Sequence, residues 1–208
     1  MITKEDIETE RSPRGLRQFV TRRKSKINNC KRERHNVILG KNRLYNVFVN
    51  EIIPLSLFCL KNYPNSYTIL PILGSKQGFD AIVKDETGKI YEHLEVTKPH
   101  DGKRTASDAM LTVSRGYGNI LSRDYKSGDD LNDMFSVIMK TCDDKSKNDY
   151  SDCSLVIAID FIPPYKEEEP AYVQLIRELE KKIIEIKFNV KRIYLLVVPL
   201  NKILKIYG

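Results

Sequence analysis

Two acids stand in a place where their side chains could do chemistry. Asp80 opens the short apolar run Phe79-Asp80-Ala81-Ile82-Val83, and Glu95 lies late in the run Ile90–Thr97. The Glu86-Thr87-Gly88 connection between the runs has the residues of a tight turn, so the two read as a β-hairpin. In an antiparallel hairpin closing at Asp85–Gly88, both acids fall toward the open end, where carboxylates on neighbouring strands can converge on one cation. Carboxylates have low strand propensity and cost free energy when buried, and a bound metal ion offsets that cost. Hard oxygen donors suit Mg²⁺ (or Mn²⁺), which is held by one or two carboxylates plus substrate phosphate. Such a site activates water and stabilises the extra charge of a phosphodiester transition state. The same residues would also serve as a plain strand cap at Asp80 and a surface ion pair between Glu95 and Lys98 or Lys103.

The elements that must position these acids follow from periodicity. Leu44, Val47, Phe48, Ile52, Leu55 and Phe58 recur at helical spacing over residues 42–61, with Pro54 placed to kink the helix. Tyr67–Leu73 is an apolar run demoted to an edge strand by Pro71. After Thr97 comes the loop Lys98-Pro99-His100-Asp101-Gly102, then a polar helical segment from Lys103 to Arg115. Leu131, Met134, Phe135, Ile138 and Cys142 mark an amphipathic helix, at whose polar end Lys145 and Lys147 read as ordinary solvated cations. Ser154–Phe161 has the pattern of a strand covered on both faces. Glu167-Glu168-Glu169-Pro170 opens a helix with Tyr172, Leu175, Ile176, Leu179, Ile183 and Ile186 on one face, and Arg192–Leu200 is a last buried strand. The order predicts an α/β fold, a mixed central sheet with flanking helices.

Charge is distributed unevenly along the 208 residues. Residues 1–43 hold 13 Lys and Arg against 5 Asp and Glu, whereas the remainder holds 22 against 23. Ser12-Pro13 starts an amphipathic basic helix whose apolar stripe is Leu16, Phe19, Val20 and Ile27. Arg22, Arg23, Lys24, Lys26, Lys31, Arg32 and Arg34 form a concentration of cations whose natural partner is a polyanion, nucleic acid first of all. The chain divides into a basic helical segment, 1–41, and a core, 42–208. Its four cysteines make no Cys-x-x-Cys pair, and His35, His93 and His100 offer no zinc spacing. Free thiols, a polar N-terminus and no apolar run of about 18 residues lead to the expectation of a soluble cytoplasmic protein with no membrane partner.

The order helix, Gly78-Phe79-Asp80-Ala81-Ile82-Val83, turn, His93-Leu94-Glu95-Val96-Thr97-Lys98, helix, and apolar strand Leu155–Ile159 resembles the PD-(D/E)xK nuclease superfamily over residues 42–160. The resemblance implies a restriction-endonuclease-like αβββαβ core and metal-dependent phosphodiesterase activity. It makes Asp80 and Glu95 metal ligands, with the backbone carbonyl of Val96 as a third. Glu51 occupies the place where many members carry an additional acid. The family's lysine stands two residues after the second acid, and here that position is Thr97. Lys98 is one residue beyond it. Cap-snatching endonucleases of segmented RNA viruses share Glu-x-Thr and take their lysine from the following helix, which makes Lys103 and Arg104 candidates and lets His35 or Glu51 serve as the upstream ligand.

The expectation is a nuclease acting on DNA more readily than RNA, with Asp80 and Glu95 on the metal and Lys98 or Lys103 stabilising charge. The alternatives are a nucleic-acid-binding or regulatory protein that kept the fold and lost catalysis, and a protein-interaction module whose basic helix meets an acidic partner. An oligomer is compatible with any of these.

Overall fold

The structure is a computed structural model that describes residues 2–38, 42–74, 78–99, 127–161 and 169–207. The chain begins with α1 (Lys4–Ile7), closed by a reciprocal capping box between Thr3 and Asp6. Ser12 then starts α2 (Pro13–Asn29) as its sequence requires: its Oγ accepts from the Gly15 N–H at 3.1 Å, and Pro13 fills the first turn. A second basic helix, α3 (Lys31–Ile38), follows after a break at Cys30.

The next helical stretch runs unbroken from Arg43 to Asn62, as α4 (Arg43–Val47), a π-helical turn (Phe48–Ile52) and α5 (Ile53–Asn62). Pro54 has no N–H and its ring crowds the carbonyl four residues back. The chain meets this with a wide turn just before it, in which the Ile53 N–H donates to the Phe48 carbonyl five residues earlier. By length and composition Arg43–Asn62 is apolar enough to cross a membrane. In this fold Tyr45, Phe48, Ile52, Leu55 and Phe58 from it are packed into the core.

Six strands form one mixed sheet in sequential order: β1 (Thr68–Pro71), β2 (Ala81–Lys84), β3 (Ile90–Thr97), β4 (Asp149–Ile159), β5 (Asn189–Val197) and β6 (Lys202–Tyr207). The first three form an antiparallel meander, with Pro71 on the edge strand as expected. The turn between β2 and β3 is held by Asp85, whose Oδ1 accepts from Thr87 N–H, Thr87 Oγ1 and Lys89 N–H, and Gly88 supplies the positive φ of 81°. β4 runs parallel to β3, and β5 parallel to β4, through the crossover helices α6 (Ser127–Ser146) and α7 (Glu169–Glu185). β6 returns antiparallel to β5.

Strand alternation sorts the core into two layers. Ala81, Val83, Leu94, Val96, Val156, Ala158, Tyr194 and Leu196 face α2, α4 and α5. Leu155, Ile157, Ile159, Ile193, Leu195 and Val197 face α6 and α7. Both parallel crossovers step the same way across the sheet, which places their helices on one face. The basic N-terminal segment is built into the first layer, since Leu16 and Val20 are fully buried there beside Phe48 and Phe58.

The strands differ from expectation in bounds and in number: β1 is shorter than Tyr67–Leu73, and the later strands shift or are new. β4 starts at Asp149, β5 ends at Val197 before a turn through Asn201, and β6 had no counterpart in the sequence reading. Its Lys-Ile-Leu-Lys-Ile-Tyr is a half-exposed edge without a continuous apolar run. The helix expected over 103–115 lies outside the described residues.

Candidate active site

The entry to β2 fixes Asp80. Gly78 takes φ 54°, the ring of Phe79 stacks on His93 at 4.3 Å with 5° between planes, and the Asp80 N–H donates to the Leu94 carbonyl at 2.8 Å. The Asp80 carboxylate then accepts the Val96 N–H at 2.8 Å, so Asp80 brackets the stretch of β3 that carries Glu95. Glu95 itself is 8% exposed and points to the opposite sheet face from Leu94 and Val96. The hairpin therefore brings the two acids together at its open end.

Glu51 comes to them from the π-helical turn. Such turns recur at functional sites, where the extra residue re-aims a side chain without ending the helix. Electrostatic coupling records the convergence. Burial and then the Glu95 charge push Glu51 up to about 7, with Lys145 and Arg43 pulling the other way. Burial, followed by Glu95 and Glu51, drives Asp80 well above the ordinary carboxylate range against the Val96 N–H and Lys145. Among the described residues no set of three His, Cys, Asp or Glu side chains is drawn into a metal-ligand group. Three carboxylates whose charges oppose one another, with one ammonium group beside them, are residue types that suit a hard cation.

That ammonium is Lys145, in the last turn of α6. Its Nζ lies 2.5 Å from Glu95 Oε1 and 3.3 Å from the Tyr150 hydroxyl, and 5.5 Å above the Tyr150 ring. Burial works against its charge, yet the Glu95 hydrogen bond and charge outweigh it and the lysine stays protonated through a wide pH range. The sequence reading treated Lys145 and Lys147 alike as solvated helix-end cations. Lys147 is one, 70% exposed and paired with Asp144 one turn back. Lys145 differs because β3 and β4 are adjacent and parallel, so the end of the crossover helix lies against the acid. Lys98 pairs with Asp160 at the end of β4, at 2.5 Å. Lys103 and Arg104 lie outside the described residues.

A second buried carboxylate escaped the sequence reading altogether. Glu92 is 3% exposed on the α5-facing side of β3 and accepts from the Tyr63 hydroxyl, the Ser154 hydroxyl and Arg192 Nη1, the last at 2.8 Å. Its parity with Leu94 and Val96 was the available signal. With every oxygen engaged by side chains of α5's end, β4 and β5, it ties those elements together.

Of the seven basic residues, Arg22, Lys24, Lys26, Lys31, Arg32 and Arg34 are exposed, and Arg23 is half-buried on Asp6 at 2.7 Å. No family model, no curated protein and no solved structure matches the chain.

Proposed function

We propose that the protein is a metal-dependent nuclease of the restriction-endonuclease-like type, hydrolysing phosphodiester bonds of DNA or RNA at the Glu51–Asp80–Glu95–Lys145 constellation. The observation that carries this reading is the Lys145–Glu95 contact at 2.5 Å across 50 residues of sequence. It supplies, from the helix after the hairpin, the cation that Thr97 does not provide. A helix, an antiparallel three-strand meander, a crossover helix and a parallel fourth strand, in that order, support the αβββαβ comparison.

Mg²⁺ or Mn²⁺ would be held by Asp80 and Glu95, with the Val96 carbonyl as a third donor. When bound there the ion supplies the charge that offsets a pentacovalent phosphate and lowers the proton affinity of a nearby water. Glu51 orients that water or a ligand from the π-helical turn. Lys145 places a fixed positive charge where negative charge grows during attack, an arrangement worth about 10²–10³ in rate where single donors have been removed from enzymes. The basic α2 and α3 hold the nucleic-acid backbone.

The test is incubation of the protein with labelled single- and double-stranded DNA and RNA in Mg²⁺, Mn²⁺ or EDTA, beside Glu95→Ala. Cleavage that needs both the ion and Glu95 is the expected result. Nucleic-acid binding without cleavage by the folded, metal-supplied protein would overturn the enzymatic reading and mark a non-catalytic protein on the same fold.

A further inference from the structure

A cleft of about 650 Å³ runs along α2, lined among the described residues by Arg11, Gln18, Phe19, Arg22, Arg23 and Lys26 with small neighbours between them. We propose that this cleft grips the sugar–phosphate backbone of a single-stranded nucleic acid, an inference that rests on the nucleic-acid reading above and names the strand state of its substrate.

Gln18, Arg22 and Lys26 succeed one another at i, i+4, so their polar ends recur about every 6 Å up one side of the helix. That row offers one amide and two cations to consecutive phosphates of an extended strand. No acid is among the cleft's described lining residues. Of the carboxylates near it, Asp6 is turned to Arg23 at 2.7 Å, and Glu33 also feels the Arg23 charge. Among the described residues neither Arg22 nor Lys26 has a carboxylate partner, and both are exposed. The opposite wall is fixed in advance: Arg11 donates to the Asp6 and Thr9 carbonyls at 2.7 and 2.8 Å and lies 4.1 Å over the Phe19 ring. A cationic wall already ordered in the free protein loses little entropy on binding.

Depth distinguishes the strand states. The volume is on the order of a small-ligand pocket, about 300–1,000 Å³, room for a nucleotide or two. A duplex backbone can reach the exposed Arg22 and Lys26, whereas a single strand can also settle against the half-buried Arg11 and Phe19 of the same cleft. The cleft is also tied to the element that carries Glu51. Phe19 packs edge-to-face on Phe48 at 6.2 Å, and Phe48 shares the π-helical turn with Glu51.

The experiment is fluorescence anisotropy in EDTA, with a labelled single strand and a hairpin duplex of matched sequence. The variants are Arg22→Glu/Lys26→Glu, the milder Arg22→Gln/Lys26→Gln, and, as a control on the exposed side of α7, Lys181→Glu/Lys182→Glu. The wild type should bind the single strand at least about tenfold tighter than the duplex. The charge-reversed cleft should lose about 10- to 100-fold for the single strand. Its salt dependence should flatten by about 0.7 in log–log slope per phosphate contact removed. The Gln variant should fall in between, and the α7 variant should change single-strand binding far less. Unchanged single-strand binding in both cleft variants, or equal affinity for duplex, would overturn the proposal. Saturable binding of inorganic phosphate or a nucleoside monophosphate without strand binding would also overturn it, in favour of a small-anion pocket. Tight, cleft-dependent binding with no cleavage in Mg²⁺ would sink only the nuclease reading. Cleavage indifferent to the cleft charges would sink only this one.

Discussion

Replacing Glu51 with Gln should stabilise the metal-free protein, by an amount that grows as pH rises from about 5 to above 7. Glu51 is raised from its ordinary 4.5 to about 7 by burial and by Glu95. Between those values the folded chain keeps a proton that the unfolded chain has released, so stability is lost as pH rises through the folded value. About 2.5 pKa units at about 1.36 kcal/mol each makes the loss about 3 kcal/mol by pH 8. Gln cannot ionise and avoids it. For a chain of this size that corresponds to a gain of about 6–12 °C in Tm. Thermal unfolding of both proteins in EDTA at pH 5 and pH 8 measures it: a large gap at pH 8 that shrinks to about 1 kcal/mol or less at pH 5. Saturating Mn²⁺ at pH 8 should raise the wild-type Tm and leave Glu51→Gln with a smaller gain. A Glu51→Gln protein no more stable than wild type at pH 8, or a gap that does not move with pH, would refute the argument that burial and the Glu95 charge keep Glu51 protonated.

Other consequences follow from the same structure. Apparent Mn²⁺ affinity should climb steeply between pH 6 and 8, up to about tenfold per unit for each proton displaced, because the ligands must lose the protons that burial makes them hold; a calorimetric pH series checks it, and a flat profile would contradict it. Glu92→Ala leaves two buried hydroxyls and a guanidinium without their acceptor and should cost about 3 kcal/mol, read as a lowered urea midpoint with an unchanged m-value. Leu16→Ala should cost about 2–5 kcal/mol, since the basic segment's apolar stripe is part of the main core; a loss below 1 kcal/mol would mean that the segment folds apart from it.

The layered α/β architecture was legible because its signals are periodic. The nearly all-apolar Ser154–Phe161 read as a strand covered on both faces, most of which lies in β4, and Ser12-Pro13 read as a helix start, as found. The pairing of Asp80 with Glu95 was legible for the same reason, since a hairpin's turn sets its register. The lysine was not. Which helix end meets a strand depends on crossover direction and on neighbours far apart in sequence, and Lys145 and Lys147 look alike until β4 is laid beside β3. The π-helical turn was also hidden: Pro54 announces a disturbed helix, and either a kink or a widened turn relieves it. The structure takes the second, and Glu51 lies in that turn within the field of Glu95.

The central claim is that Glu95 serves the metal while Lys145 serves the phosphate, and one paired measurement separates these roles. Mn²⁺ binding and single-turnover cleavage would be followed on the same samples of wild type, Glu95→Ala and Lys145→Ala. The account predicts that Glu95→Ala loses both, whereas Lys145→Ala still binds Mn²⁺ and cleaves about 10²–10³ times more slowly. Cleavage by Lys145→Ala at the wild-type rate, or undiminished Mn²⁺ binding by Glu95→Ala, would contradict it.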